Sequence, residues 1–115
     1  MTQLTVWHNP RCSKSRATLA LLDEHGVTPN VVFYLETPPT ADEIKQVLKR
    51  SGKTAIELVR MGENVFSDLN LSKASTEESL IEAMASNPIL IERPVVISKD
   101  RAVLGRPPEN ALNLI

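Results

Sequence analysis

QLTVWHNPRCSKSRATLALLDEHGVTPNVVFYL, residues 3–35, is the stretch that decides the fold. Residues 3–7 (QLTVW) are a short β-prone run, and HNPRCSKS ends it with a proline and a row of polar residues. From about Ser13 to His25 the residues are good helix formers, Leu19 and Leu22 fall at helical spacing, and Gly26 stands where a C′ residue closes a helix. NVVFYL, residues 30–35, is then a continuous apolar and β-branched run, which predicts a strand buried on both faces. Two strands separated by one helix's length of chain form a βαβ unit with parallel strands.

Beyond Thr37-Pro38-Pro39, helix signals dominate. Thr40 with Glu43 makes a capping box ahead of Ile44, Val47 and Leu48, and this helix ends near Gly52. Thr54 with Glu57 repeats the device before Ile56, Leu58 and Val59, and Ser75 with Glu78 repeats it before Leu80, Ile81 and Met84. Three helices in succession predict a helical insertion over about residues 40–90. Arg93-Pro94 then introduces VVIS (95–98), a Lys99-Asp100 turn leads into RAVLG (101–105), and Pro107-Pro108 opens a last helix. A βαβ start and a ββα finish make the order of a thioredoxin-like α/β domain with a mixed sheet and an inserted helical region, one domain over residues 1–115.

Composition narrows the function classes. At 115 residues and 42% hydrophobic, the chain buries an adequate core without disulfide or metal staples. Thirteen Lys and Arg against fourteen Asp and Glu leave a net charge of -1, so no global field favours nucleic acid or an acidic membrane, and any anion site is local. One cysteine and two histidines exclude an intramolecular disulfide and a Cys/His zinc cluster, and no metal or bound organic cofactor is implied. The apolar runs are far shorter than the roughly 18 residues that span a bilayer. Arg11 and Lys14 stand where a secretory leader would have its apolar core, so the expected location is cytoplasmic.

Cys12 lies between a strand end and a helix start, where unpaired N–H groups and the helix dipole favour negative charge and lower a thiol's pKa. Arg11, Lys14 and Arg16 flank it, and no acidic residue precedes Asp23. A lone cysteine is more usually a small buried hydrophobe, but polar neighbours, helix-start position and cationic flank together favour a reactive thiolate. A phosphatase loop, Cys with five residues and then Arg, fails because position 18 is Thr; a Cys-x-x-Cys dithiol fails because position 15 is Ser. A second thiol therefore comes from outside the chain. His8, four residues before Cys12, either polarises the thiol as a papain-like partner or is an ordinary loop residue bonded to backbone.

Arg93 and Arg106 each precede a proline, which biases their backbone towards extended conformation at an element edge, and Arg60 lies near the end of the short helix beside Met61-Gly62. Arg50 and Arg101 read as solvated surface groups. Guanidinium groups are planar and permanently charged, so three of them converging on Cys12 would form a site for a tetrahedral oxyanion.

HNPRCSKSR, YLETPP, LVR at 58–60, NPILIERPVVI and GRPPE, in this order, strongly resemble the glutaredoxin-coupled arsenate reductase (ArsC) family over nearly the whole chain. The Ser-Lys pair after Cys12 and the Met-Gly pair after Arg60 resemble a chromosomal NPRCSKSR-type subgroup rather than the resistance-operon enzymes. The resemblance implies Cys12 as nucleophile, Arg60, Arg93 and Arg106 as oxyanion-binding arginines, and a thiolate-tuning role for His8 and Ser15, to which Arg16 adds its charge. It implies arsenate as substrate, glutathione as co-substrate, and glutaredoxin as the partner that clears a mixed disulfide on Cys12. The alternatives are an Spx-like regulator binding RNA polymerase and a thiol oxidoreductase acting on a different oxyanion.

Overall fold

The computed structural model describes residues 3–115, which fall into two compact units, one formed by the chain up to Thr37 together with Arg93–Ile115 and the other by Pro38–Glu92.

The first unit is built on a four-stranded sheet. Its elements are β1 (Thr5–Trp7), α1 (Ser13–Glu24), β2 (Asn30–Val32), β3 (Val95–Ile97), β4 (Ala102–Leu104) and a 3-10 helix over Pro108–Leu114. The strand order is β2-β1-β3-β4, with β1 parallel to β2 and β3 antiparallel to both β1 and β4. Leu4, Val6, Leu22, Val96, Ala111 and Leu114 form the core, with Leu19, Val27 and Val103 packed against it. Each leucine or valine side chain among them contributes about 1.5–3 kcal/mol when fully buried. Gly26 has φ 73°, the left-handed conformation expected of the residue that closes α1.

One expectation is corrected here. The apolar run at 30–35 is not a strand buried on both faces: β2 ends at Val32, lies at the sheet edge, and leaves Val31 and Val32 only partly buried. A turn follows, in which Tyr34 is fully buried while Phe33 and Leu35 are exposed.

Register places the segments that carry Cys12, Arg93 and Arg106. Trp7 pairs with Val95 across β1 and β3, and Val95 pairs with Leu104 across β3 and β4. The loop leaving β1 at His8, the Arg93-Pro94 segment entering β3 and the Gly105-Arg106 segment leaving β4 therefore share one end of the sheet. Both Arg-Pro peptide bonds are cis, and the Gly105 N–H donates to the Pro94 carbonyl at 2.9 Å.

The second unit holds α2 (Ala41–Ser51), α3 (Ala55–Leu58), α4 (Asn64–Asp68), α5 (Glu77–Ser86) and a 3-10 turn over Pro88–Leu90. Thr40 and Glu43 form the expected capping box, and Gly52 closes α2 with φ 72°. Ile44, Val47 and Leu48 of α2 and Leu80, Ile81 and Met84 of α5 are buried, and the two helices pack on each other. The α5 cap is Thr76, one residue later than the Ser75 expectation, because the Ser75 hydroxyl instead accepts the Ser72 N–H in the preceding turn. The short α4, with Phe66 as its one buried side chain, was not anticipated.

Candidate active site

Cys12 is the residue immediately before α1, with extended backbone (φ -92°, ψ 123°), and it is buried. Four backbone and side-chain hydrogen bonds fold the loop before it. The Asn9 carbonyl accepts the Cys12 N–H at 3.0 Å, the Asn9 Oδ1 accepts the Arg11 N–H at 3.0 Å, and the Asn9 N–H donates to the Ser15 hydroxyl at 3.1 Å. The His8 Nδ1 lies 2.7 Å from that same hydroxyl. Ser15 is completely buried, so its hydroxyl serves the loop rather than water. Asn9 was overlooked in the sequence, although an Asn-Pro pair ahead of a helix start is a recognisable turn signal.

Burial acts to raise the Cys12 pKa, yet the net effect is a pKa below the ordinary thiol value. A hydrogen bond from the Arg93 side chain, the backbone N–H groups of Ser15 and Lys14 and the charge of Arg93 together outweigh the desolvation. His8 is pushed below its ordinary value, first by burial and then by the charge of Arg16, so its imidazole is neutral at pH 7. Because the Ser15 oxygen already accepts from Asn9, its own hydrogen is available to His8 Nδ1. His8 therefore supplies a fixed hydrogen-bonding group beside the loop, with the ring of Phe33 edge-on to it at 5.8 Å. Arg16 is exposed and spans the loop by donating from Nη1 to the Pro10 carbonyl at 2.9 Å.

Of the three singled-out arginines, two meet at Cys12. Arg93 hydrogen-bonds to the sulfur, and the Arg106 Nη2 stands 4.0 Å from it. Arg106 is held by its Nε, which donates to the Arg93 carbonyl at 2.8 Å, so the two arginines are positioned as a pair. Gly105 makes this possible: a Cβ there would lie 2.6 Å from Pro94 Cγ and 2.7 Å from Thr18 Oγ1. Only a residue without a side chain lets the β4 end approach the Arg93-Pro94 segment and α1 together. Arg60 belongs to the helical unit, where its Nε and Nη1 each lie 3.2 Å from a carboxylate, Glu63 and Glu92 respectively. Among the described residues, no group of three or more His, Cys, Asp or Glu is arranged to hold a metal ion.

A thiol with a lowered pKa and two guanidinium groups beside it can attack an electrophilic centre while an anion is held in place. A sequence model of the ArsC family matches residues 7–114. The chain belongs to the ArsC family. It is 50% identical over 115 residues to the Escherichia coli K12 protein YfgD, described as uncharacterized, covering 98% of this chain and 97% of that one. It is 40% identical over 112 residues to an arsenate reductase of Neisseria meningitidis serogroup B, covering 96% of each. The structure of an arsenate reductase from Vibrio cholerae superposes with a TM-score of 0.94 at 40% identity, covering 99% of this chain and 98% of that one. This ArsC protein accordingly has the thioredoxin-like fold expected from its βαβ and ββα ends. Among its described residues, no helix is long and apolar enough to cross a membrane.

Proposed function

We propose that this ArsC protein reduces arsenate to arsenite through Cys12, with glutathione and glutaredoxin as electron donors. The observation that carries the proposal is the placement of buried Cys12 at the start of α1 with the Arg106 Nη2 4.0 Å from its sulfur and Arg106 held on the Arg93 carbonyl, to which the Arg93 side chain adds a lowering of the thiol's pKa. The arsenate reductases among its relatives supply the substrate class.

The Cys12 thiolate attacks arsenic(V), an As–S bond forms, and an arsenate oxygen leaves as water after protonation. The thiolate of glutathione then supplies the second sulfur. As the Cys12–glutathione S–S bond forms, the As–S electron pair stays on arsenic and arsenite departs as arsenic(III). One arsenate dianion, two thiols and two protons thus give one disulfide, arsenous acid and one water. Cys12 is the chain's one cysteine, so the mixed disulfide has no internal resolving thiol and glutaredoxin removes the glutathionyl group. Arg93 and Arg106 hold the oxyanion's charge, and the family resemblance adds Arg60. Only that part of their attraction which grows in the transition state raises kcat.

The test is glutathione oxidation followed with and without arsenate, in the presence of glutaredoxin, for wild type and Cys12→Ser. The expected result is arsenate-dependent turnover that the variant lacks, with a single glutathione adduct on Cys12 when glutaredoxin is omitted. Arsenate-independent consumption, or activity retained by Cys12→Ser, refutes the proposal.

A further inference from the structure

Arg106 is exposed, so packing alone does not fix its side chain, yet its Nη2 stands 4.0 Å from the Cys12 sulfur. Its Nε donates to the Arg93 carbonyl at 2.8 Å. The backbone of the same residue is held by Asn110, whose Nδ2 donates to the Arg106 carbonyl at 3.1 Å and to the Leu104 carbonyl at 3.2 Å. Two carbonyl acceptors around one amide atom identify that atom as the nitrogen, so its partners fix the orientation of the Asn110 carboxamide. Asn110 is seated in turn by its own N–H, which donates to the Pro107 carbonyl at 3.0 Å at the start of the 3-10 helix over Pro108–Leu114.

The local sequence explains why a side-chain donor is needed here. Pro107 and Pro108 follow Arg106 and carry no N–H, so the backbone directly after the arginine offers no donor. Gly105 before it, required by the close approach to Pro94 and Thr18, has no side chain with which to brace the segment. Leu104 and Arg106 flank that glycine, and one carboxamide ties both of their carbonyls to the 3-10 helix.

We infer that Asn110 is a positioning residue: its carboxamide clamps the backbone on both sides of Gly105, and so keeps the Arg106 guanidinium beside the Cys12 sulfur, where an incoming anion meets it. The inference rests on the anion-holding role given to Arg106 under the proposed function. Asn110 acts through Arg106. Without the clamp the arginine keeps its charge but spends less time next to sulfur, so an anionic reactant loses attraction at the thiolate while a neutral one does not.

The experiment alkylates Cys12 of the full chain with iodoacetate and with iodoacetamide, two reagents of similar size that differ by one negative charge. Both attack the same thiolate, so the ratio of their rates cancels changes in its pKa and nucleophilicity and reports the local attraction for an anion. The proteins are wild type, Asn110→Ala, Arg106→Ala, their double, and Leu114→Ala as a control for loosening of the same 3-10 helix and core. Exposed charge pairs change an equilibrium by about 1.4- to fivefold, so Arg106→Ala should lower the ratio by about that factor at low ionic strength. Asn110→Ala should lower it by up to the same factor, and in the Arg106→Ala background it should have no further effect. Leu114→Ala should lower Tm and leave the ratio unchanged. If Arg106→Ala lowers the ratio and Asn110→Ala does not, the inference is wrong and the role of Arg106 survives. A fall that Asn110→Ala still causes without Arg106, or that Leu114→Ala reproduces, also overturns it. If Arg106→Ala changes nothing, the role of Arg106 falls and the inference falls with it. The KM for arsenate should rise in Asn110→Ala; a wild type without arsenate turnover removes the arsenate reading alone, because the alkylation ratio still decides the inference. Asn110→Ser, which keeps one donor, replaces Asn110→Ala if the latter does not fold, and a ratio at or above that of wild type then overturns the inference.

Discussion

Arg93→Ala removes the side chain that opposes the desolvation of Cys12 with both a hydrogen bond and a charge. A hydrogen bond to a charged group contributes about 1.5–3 kcal/mol, and each 1.36 kcal/mol is a factor of ten in a protonation equilibrium. At a fixed pH below the wild-type midpoint, the thiolate fraction should therefore fall about tenfold to a hundredfold. Part of that loss returns, because a less stabilised thiolate is the better nucleophile, with a Brønsted coefficient of about 0.4–0.5. The net fall in alkylation rate at low pH should be about three- to tenfold. Above both midpoints the sign reverses and the variant should react faster, so the two rate–pH curves should cross. The assay is iodoacetamide alkylation across pH, followed by mass. The midpoint, rather than the absolute rate, is the decisive quantity, since truncating Arg93 also opens the approach to sulfur. Arg93→Lys, which keeps charge without the fork, should lie between. A midpoint for Arg93→Ala at or below that of wild type would refute the reasoning and leave the backbone N–H groups of Ser15 and Lys14 as the main source of the lowered pKa.

Gly105→Ala should destabilise the first unit by about 1–3 kcal/mol through overpacking against Pro94 and Thr18, read as a Tm lower by about 5–15 °C; an unchanged Tm would show that Pro94 yields freely. His8 is neutral in the fold and its pKa is lowered, so the unfolded chain binds more protons below about pH 6.5. Stability should be fully present above that value and decline as pH falls towards the folded-state value, and His8→Gln should remove this decline in urea midpoints compared at about pH 5 and about pH 7.5. Thr40→Ala breaks the α2 capping box, in which the Thr40 Oγ1 accepts the Glu43 N–H at 3.1 Å and Glu43 returns the bond at 2.9 Å. It should cost about 1 kcal/mol in urea unfolding without moving the Cys12 alkylation midpoint.

What the sequence determined by itself was whatever is encoded over a few residues. The limits of α1 and α2 follow from helix formers, a capping box and glycines at the left-handed closing positions, all of which act within one or two turns. The strand-to-helix junction that exposes Cys12 to backbone N–H groups is equally local. Where local signals are degenerate, boundaries shift: Ser75 and Thr76 both carry a capping hydroxyl, and the cap falls to Thr76 because Ser75 is used by the preceding turn. The run at 30–35 is apolar throughout, and apolarity alone does not distinguish a central strand from an edge strand followed by a turn. That choice belonged to the strand order, which puts β2 at the edge. The convergence of arginines on Cys12 was decided almost wholly by tertiary structure. Arg93 and Arg106 are separated from Cys12 by some 80 and 94 residues of chain, and they meet it because antiparallel pairing carries the start of β3 and the end of β4 to the end of the sheet where β1 stops. Proline after each arginine marked an edge without saying which edge. The carboxylates on Arg60 were beyond sequence reasoning for the same cause: Glu92 lies 32 residues away and reaches Arg60 through the bridge between Val59 and Ile91. Hydrogen bonding within a helix turn is set by neighbours in the chain, whereas the convergence of charged side chains is set by which strands pair, and pairing is a property of the folded whole.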